Sequence, residues 1–379
     1  MELSLNKASM TDDQIVSALC AEMHALMPVI IGQGYSLTNK MPLRITRNYS
    51  FMFRFSLTKP GTAPQNLLVK IHRKPSMKTL QEAIEADTLR VDAQREFEVL
   101  RSFAEAIGQV SHPQLCAIQV VAYLPGFNAI VMQELEMRPF KDFYFELPFF
   151  LGNSKYWTAL EAHLTLAGEL LKIIHTAFGQ KQTAPLFSLG GLELVEREFS
   201  RLERFIPPSR LTSLRKKFLT FYKLIEDVVL PVAAVHKDYH LGNIFLSQEG
   251  KVGVLDPNWE ERGAIYEDLA RLLIDPVTRK LQIITQGLYF RRASAKRFEK
   301  SVLRGYFGST EVDERLLSFY RALMALTIWR VHEENQLNQG SLVFLIFGGI
   351  IRWLFRRYFA KLITGFVNRG LRHTVADIA

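Results

Sequence analysis

Apolar and polar positions change period several times along this chain, and each change predicts an element. Thr11-Asp12-Asp13 reads as a helix start, and Ile15, Leu19, Met23 and Leu26 recur at helical spacing after it. Alternation follows. Residues 42–46 read as a strand and Arg47-Asn48-Tyr49-Ser50 as a turn. Phe51, Phe53 and Phe55 then alternate with Met52, Arg54 and Ser56. Beyond a Pro/Gly-rich turn at 59–64, residues 67–71 form a further strand. Its period puts Leu67, Val69 and Ile71 on one face and Leu68, Lys70 and His72 on the other.

Helical spacing returns with Leu89, Ala93, Leu100, Phe103 and Ile107. Glu96 falls inside that apolar face, whereas Glu98 lies with Gln94, Arg101 and Glu105 on the polar side. Two more strands, 117–124 and 129–135, flank Pro125-Gly126-Phe127-Asn128. From about residue 141 the pattern is mainly helical. Leu160, Leu164, Ala167, Leu171, Ile174 and Phe178 mark one such helix, and His175 near its end suits a helix C-terminus. Short apolar runs at 233–235, 244–246 and 252–255 interrupt the helices, the last two joined by the turn Gln248-Glu249-Gly250-Lys251.

Those short strands frame the chemistry. Val235-His236-Lys237-Asp238-Tyr239-His240-Leu241-Gly242-Asn243 is followed by Val254-Leu255-Asp256. A His-x-Asp-x-x-x-x-Asn loop and then a strand ending in Asp supplies three groups that phosphoryl transfer from a nucleotide can use. One carboxylate accepts the acceptor hydroxyl's proton, and an amide and a second carboxylate hold Mg²⁺ against the phosphates. Asp238, Asn243 and Asp256 are the right types in the right order.

The segment resembles the aminoglycoside phosphotransferase and choline kinase-like family, whose His-Gly-Asp-x-His-x-x-Asn pattern it keeps except for Lys237 in place of Gly. The resemblance continues from Asp256 through Gly263 to Glu267-Asp268-Leu269-Ala270. It implies an α+β, two-lobed protein-kinase-like fold with a small antiparallel sheet lobe and a mainly helical lobe. By the same resemblance Asp238 is the base, His236 and Asp268 brace the loop, and His240 marks the small-molecule branch. Lys70 would grip the ATP phosphates and Glu96, next to an Arg as in the family, would hold Lys70. A buried carboxylate needs such a partner, which favours Glu96 over Glu98. The turn carrying Asn48 and Ser50 would lie over the phosphates, and 133–137 would meet the adenine edge. GTP in place of ATP stays open.

Two departures keep other classes in view. Asp256-Pro257-Asn258 stands where protein kinases have Asp-Phe-Gly, and no Gly-x-Gly-x-x-Gly occurs near the N-terminus. A nucleotide-binding pseudokinase or scaffold would explain both. A protein kinase is disfavoured by His240 and by the lack of an Ala-Pro-Glu segment after Asp256.

Composition is compatible with this reading. The chain has 379 residues, 48% hydrophobic, enough for two cores. Cys20 and Cys116 are too few for a disulfide framework and suggest a reducing compartment. Met1-Glu2-Leu3-Ser4 lacks the pattern of a secretory leader, so a cytoplasmic location is expected. Zinc-type Cys/His spacing and a Gly-x-Ser-x-Gly elbow are absent.

The net charge of +9 is concentrated late. Between Val277 and Gly305, eight Arg and Lys face only Glu299. The apolar run 342–351 is shorter than the ~20 residues that span a bilayer. After it, Arg352, Arg356, Arg357 and Lys361 interleave with Trp353, Leu354, Phe355, Tyr358, Phe359, Leu362 and Ile363. Two readings stand: a helix lying on an anionic membrane at its inner face, or a buried helix followed by a solvated one. The expected divisions are 1–39 (helical segment), 40–137 (nucleotide lobe), 138–340 (helical lobe with the acceptor site) and 341–379 (basic amphipathic segment). The expected partner is a small-molecule or lipid-linked hydroxyl acceptor, and no nucleic acid.

Overall fold

A computed structural model describes residues 10–38, 41–144, 154–177, 182–336 and 342–378. The leader expectation at residues 1–4 and the Phe178 position lie outside the described residues, as do the side chains of 342–347. The chain separates into two units, Met1–Met137 with Gly253–Pro257, and Arg138–Val252 with Asn258–Ala379.

The first unit opens with α1 (Asp12–Ile30). Thr11 Oγ1 accepts the Gln14 N–H, and Gln14 Oε1 accepts the Thr11 N–H, so two otherwise orphaned donors are satisfied reciprocally. Strands β1 (Ser36–Leu37), β2 (Leu43–Thr46), β3 (Ser50–Thr58) and β4 (Gln65–His72) follow. Helices α2 (Leu80–Glu85) and α3 (Asp87–Val110) precede β5 (Val120–Leu124) and β6 (Ala129–Gln133). The antiparallel sheet has the order β1-β3-β4-β6-β5, with β2 also on β3.

Phe51, Phe53 and Phe55 of β3 and Leu67, Val69 and Ile71 of β4 share one core with Ile15, Leu19 and Met23 of α1. α1 thus closes the apolar face of the sheet. β1 and α2 were not expected. β1 spans two residues, too few to display a period. For α2 a signal existed, since Thr79 and Glu82 form a capping box.

β7 (Met137–Pro139) lies where the units meet in sequence. The second unit then contains α4 (Phe140–Tyr144), α5 (Ser154–Ala177), β8 (Gln182–Pro185), α6 (Gly191–Leu202), α7 (Pro208–Lys223) and β9 (Val229–Val235). Strands β10 (Ile244–Ser247) and β12 (Glu260–Ala264) come next in this unit, and between them in sequence is β11 (Val252–Val254), whose last two residues belong to the first unit. The chain ends with α8 (Ile265–Ile274), α9 (Lys280–Ile284), α10 (Arg292–Phe307), α11 (Glu314–Gln336) and α12 (Leu342–Ile378).

β9 is the middle strand of a small antiparallel sheet, β12-β9-β8, so the strand entering the motif loop is fixed on both edges. α5 and α10 pack closely at two glycines. A Cβ on Gly168 would sit 2.2 Å from the Val302 carbonyl oxygen, and one on Gly305 would sit 2.0 Å from that of Thr165. Neither position can carry a side chain without parting the helices.

The basic C-terminal segment is mostly structural. Phe355, Tyr358, Phe359, Ile363 and Val367 are buried, and the Phe359 ring stacks on Trp329 with centroids 6.0 Å apart. Arg356 donates to Glu333 at 2.9 Å and to the Phe205 carbonyl at 2.9 Å. Much of the apolar face of α12 is thus spent on the core, while Ile350 and Trp353 stay exposed. Among the described residues no helix is long and apolar enough to cross a membrane.

Candidate active-site residues

In the first unit, alternation along β4 turns Lys70 and His72 away from the phenylalanine core. α3 delivers Glu96 to meet them. Lys70 Nζ donates to Glu96 Oε1 at 2.8 Å and Oε2 at 3.1 Å, and His72 Nε2 lies 2.6 Å from Glu96 Oε2. Glu98 instead accepts from Gln94 on the outer side of α3. Lys70 also donates to Asp256 Oδ1 at 2.5 Å.

One ammonium therefore joins two carboxylates. Burial alone would raise the Glu96 carboxyl, but Lys70 and His72 beside it pull it down to about 2. Burial alone would lower the Lys70 ammonium, but Glu96 and Asp256 hold it above the usual lysine range. Asp256 differs from Glu96 in exposure. Its side chain is 57% exposed and its backbone is left-handed, with φ 51°. In the turn before β3, Asn48 is exposed, while Ser50 is buried as the first residue of β3. The Ser50 carbonyl accepts the Arg47 N–H at 2.8 Å, closing that turn.

In the second unit, β9 ends at Val235 and the motif loop begins. Asp268, in the first turn of α8, pins it. Its Oδ2 accepts the His236 N–H at 2.6 Å and its Oδ1 accepts the Lys237 N–H at 2.7 Å. His175 Nε2 lies 3.0 Å from Asp268 Oδ2, and His175 Nδ1 lies 2.7 Å from the Tyr306 hydroxyl. Burial would raise the Asp268 carboxyl, but His175 and His236 hold it below the ordinary range. His175 thus stands in the last turn of α5, as expected, and is a buried member of this network. Tyr239 ties the far side of the loop to α5, donating to the Ala167 carbonyl at 2.7 Å.

Lys237 adopts φ 63°, a conformation that favours glycine. Its Nζ is held by Glu267 at 2.6 Å and Glu260 at 2.5 Å. The side chain that replaces the family glycine is therefore retained by two carboxylates.

Asp238 then projects half-buried from the pinned loop. Asn243 Nδ2 donates to its Oδ2 at 2.9 Å and to its backbone carbonyl at 3.1 Å. His240 Nε2 lies 3.5 Å from Oδ2, and Arg271 donates to Oδ1. Burial would raise the Asp238 carboxyl, but His240 and Arg271 hold it well below the usual carboxylate range. Arg271 was not singled out from the sequence, although it stands one helical turn beyond Asp268, on the same face. The loop closes through His240, whose Nδ1 accepts the Gly242 N–H at 2.9 Å.

The chain matches the model of the phosphotransferase enzyme family over residues 44–315. It belongs to that family. Glucosamine kinase has a similar structure at a TM-score of 0.55, with 13% identity over 94% of this chain and 82% of that one. The amicoumacin kinase hAmiN gives 0.50, with 13% identity over 90% and 93%. A choline/ethanolamine kinase family protein from Mesorhizobium loti gives 0.49, with 15% identity over 94% and 98%. No curated protein matches the chain. The fold is thus kinase-like, and the protein is a phosphotransferase.

Proposed function

We propose that this phosphotransferase moves the γ-phosphoryl group of ATP, with Mg²⁺, to a hydroxyl of a small molecule or of a lipid-linked sugar. The observation that carries this reading is Asp238. It is an ionised carboxylate held by Asn243, His240 and Arg271 on a loop that a buried aspartate fixes. A fixed, half-exposed carboxylate can orient a hydroxyl and take its proton. The acceptor O–H bond breaks toward Asp238, an O–P bond forms at the γ-phosphorus, and the bond from that phosphorus to the bridging oxygen breaks to leave ADP.

Lys70 is the phosphate contact, and Glu96 keeps it charged and extended. Asn243 and Asp256 each offer a hard oxygen, which suits Mg²⁺. Among the described residues no cluster of three or more His, Cys, Asp or Glu is poised for a metal. Mg²⁺ is ordinarily bound through one or two protein oxygens plus phosphates. When bound, Mg²⁺ supplies neutralisation of phosphate charge. Asn48 would contact phosphate from the turn before β3, with the buried Ser50 supporting that turn.

Related structures supply the nucleotide argument. Glucosamine kinase has been described with glucosamine, ADP and inorganic phosphate, and hAmiN with AMP-PNP and Ca²⁺. ATP is therefore the donor chosen here, with GTP as the competing outcome. A cytoplasmic protein in peripheral contact with an anionic membrane at its inner face would have direct access to a lipid-linked acceptor.

The test uses γ-labelled ATP or GTP, Mg²⁺ and a cell extract divided into aqueous and organic phases. Wild type should move label from ATP, and Asp238→Asn should not. The phase receiving the label separates soluble from lipid-linked acceptors. Label transfer unaffected by Asp238→Asn would remove the proposed base, and transfer from GTP alone would replace the donor.

A further inference from the structure

The second unit carries an apolar surface for which the reaction has no use. α9 and the turn after it lie along α12. Gln286 donates to the Leu354 carbonyl at 3.0 Å, and the Tyr358 hydroxyl donates to the Val277 carbonyl at 2.6 Å. Around this seam, Leu281, Ile284, Leu288, Ile350 and Trp353 are between 46% and 71% exposed. Scattered exposed leucines are ordinary, whereas large apolar side chains gathered on neighbouring elements mark an interaction surface.

The charge around the seam has one sign. Lys280, Arg291, Arg292 and Arg357 are exposed beside it, and the Arg357 guanidinium lies 5.3 Å from the centre of the Trp353 ring. Residues 276–298 and 335–376 contain no Asp or Glu. Acids near these stretches are already engaged: Asp275 with Arg279, Glu299 with Arg321, and Glu333 with Arg356.

We propose that the α9 turn and the exposed edge of α12 form one docking surface for an anionic lipid bilayer. Leucine, isoleucine and tryptophan side chains would enter the interfacial region, and the arginines and lysine would meet anionic headgroups. Each basic residue near such a surface adds to the attraction. Tryptophan suits this boundary because its ring is apolar while its N–H is polar. A second copy of the chain fits poorly, since like charges would oppose one another. Nucleic acid would satisfy the cations but not the exposed leucines. This surface deepens the peripheral-contact reading above and moves it. The lipid-facing residues come from two elements, and the apolar face of α12 behind them stays in the core.

The test is sedimentation of the full chain with vesicles of phosphatidylcholine alone or with about a third phosphatidylglycerol. It reads no phosphoryl transfer, so its failure is distinct from failure of the kinase reading. Wild type should bind the anionic vesicles ~10-fold or more tightly than neutral ones, with binding weakened by salt. Ile284→Ser with Leu288→Ser, and separately Arg291→Glu with Arg292→Glu, should each reduce binding ~10-fold at an unchanged melting temperature. Trp353 emission should shift to the blue on anionic vesicles, and Trp353→Phe should remove that shift. The proposal is overturned if wild type ignores anionic vesicles, if both double variants bind like wild type, or if the protein retains duplex DNA but no vesicle.

Discussion

Asp238 and Asp268 are both depressed aspartates with a histidine beside them, yet they differ in burial and in what else holds them. The Asp268 side chain is fully buried and its oxygens are taken by two backbone N–H groups and His175. The Asp238 side chain is 31% exposed and is held by side chains alone. A buried carboxylate that satisfies backbone donors fixes the shape of a loop. One held by part-exposed cations and an amide can exchange those partners for a substrate hydroxyl. Burial, more than ionisation, separates the proposed brace from the proposed base.

The sharpest way to break this contrast is to remove the carboxylate from each. Asp238→Asn should lower phosphoryl transfer by ~10²–10⁴-fold, with nucleotide affinity and chemical denaturation close to wild type. Asp268→Ala should instead unfold readily. It leaves two backbone N–H groups and His175 without their acceptor, and a loss of about 3–5 kcal/mol is expected by urea denaturation. If the two variants behaved alike in both assays, the division of roles would fail.

Arg271 sharpens the comparison from the side of pH. Asp238 is depressed in the fold, so it is charged above its lowered value and loses both its basicity and its ion pair as pH falls through that value. Arg271→Met removes a cause of the depression. The acid limb of kcat/KM should therefore move up in pH, toward the ordinary aspartate value of about 3.9. An acid limb that stayed in place or moved down would show that Arg271 does not hold the base.

The legibility of these features differed for physical reasons. Lys70 and Glu96 could be read because a period of two and a period of 3.6 each put one charge on a defined face. Pinning by Asp268 followed from the family motif. The pairing of Arg271 with Asp238 joins residues far apart in sequence, and no local pattern encodes it. α12 was ambiguous because apolar residues occupy several of its faces, and only its neighbours decide which face is core. The left-handed turn at Lys237 was hidden because a lysine gives no local sign of positive φ.

That turn provides the smallest predicted effect. Lys237→Gly and Lys237→Ala both lose the ion pairs with Glu260 and Glu267, but only Ala keeps a Cβ in the left-handed conformation. The Gly variant should be more stable than the Ala variant by about 1 kcal/mol. Equal denaturation midpoints would mean that the loop relaxes away from φ 63°.

The most direct measurement of the central claim is the single-turnover rate of γ-phosphoryl transfer by folded wild type and Asp238→Asn. Both should be saturated with Mg-ATP and supplied with the acceptor fraction that takes up label. The account predicts that the variant binds nucleotide as wild type does but transfers at least ~10²-fold more slowly. Transfer at the wild-type rate would contradict it and would move the proton acceptor to another residue.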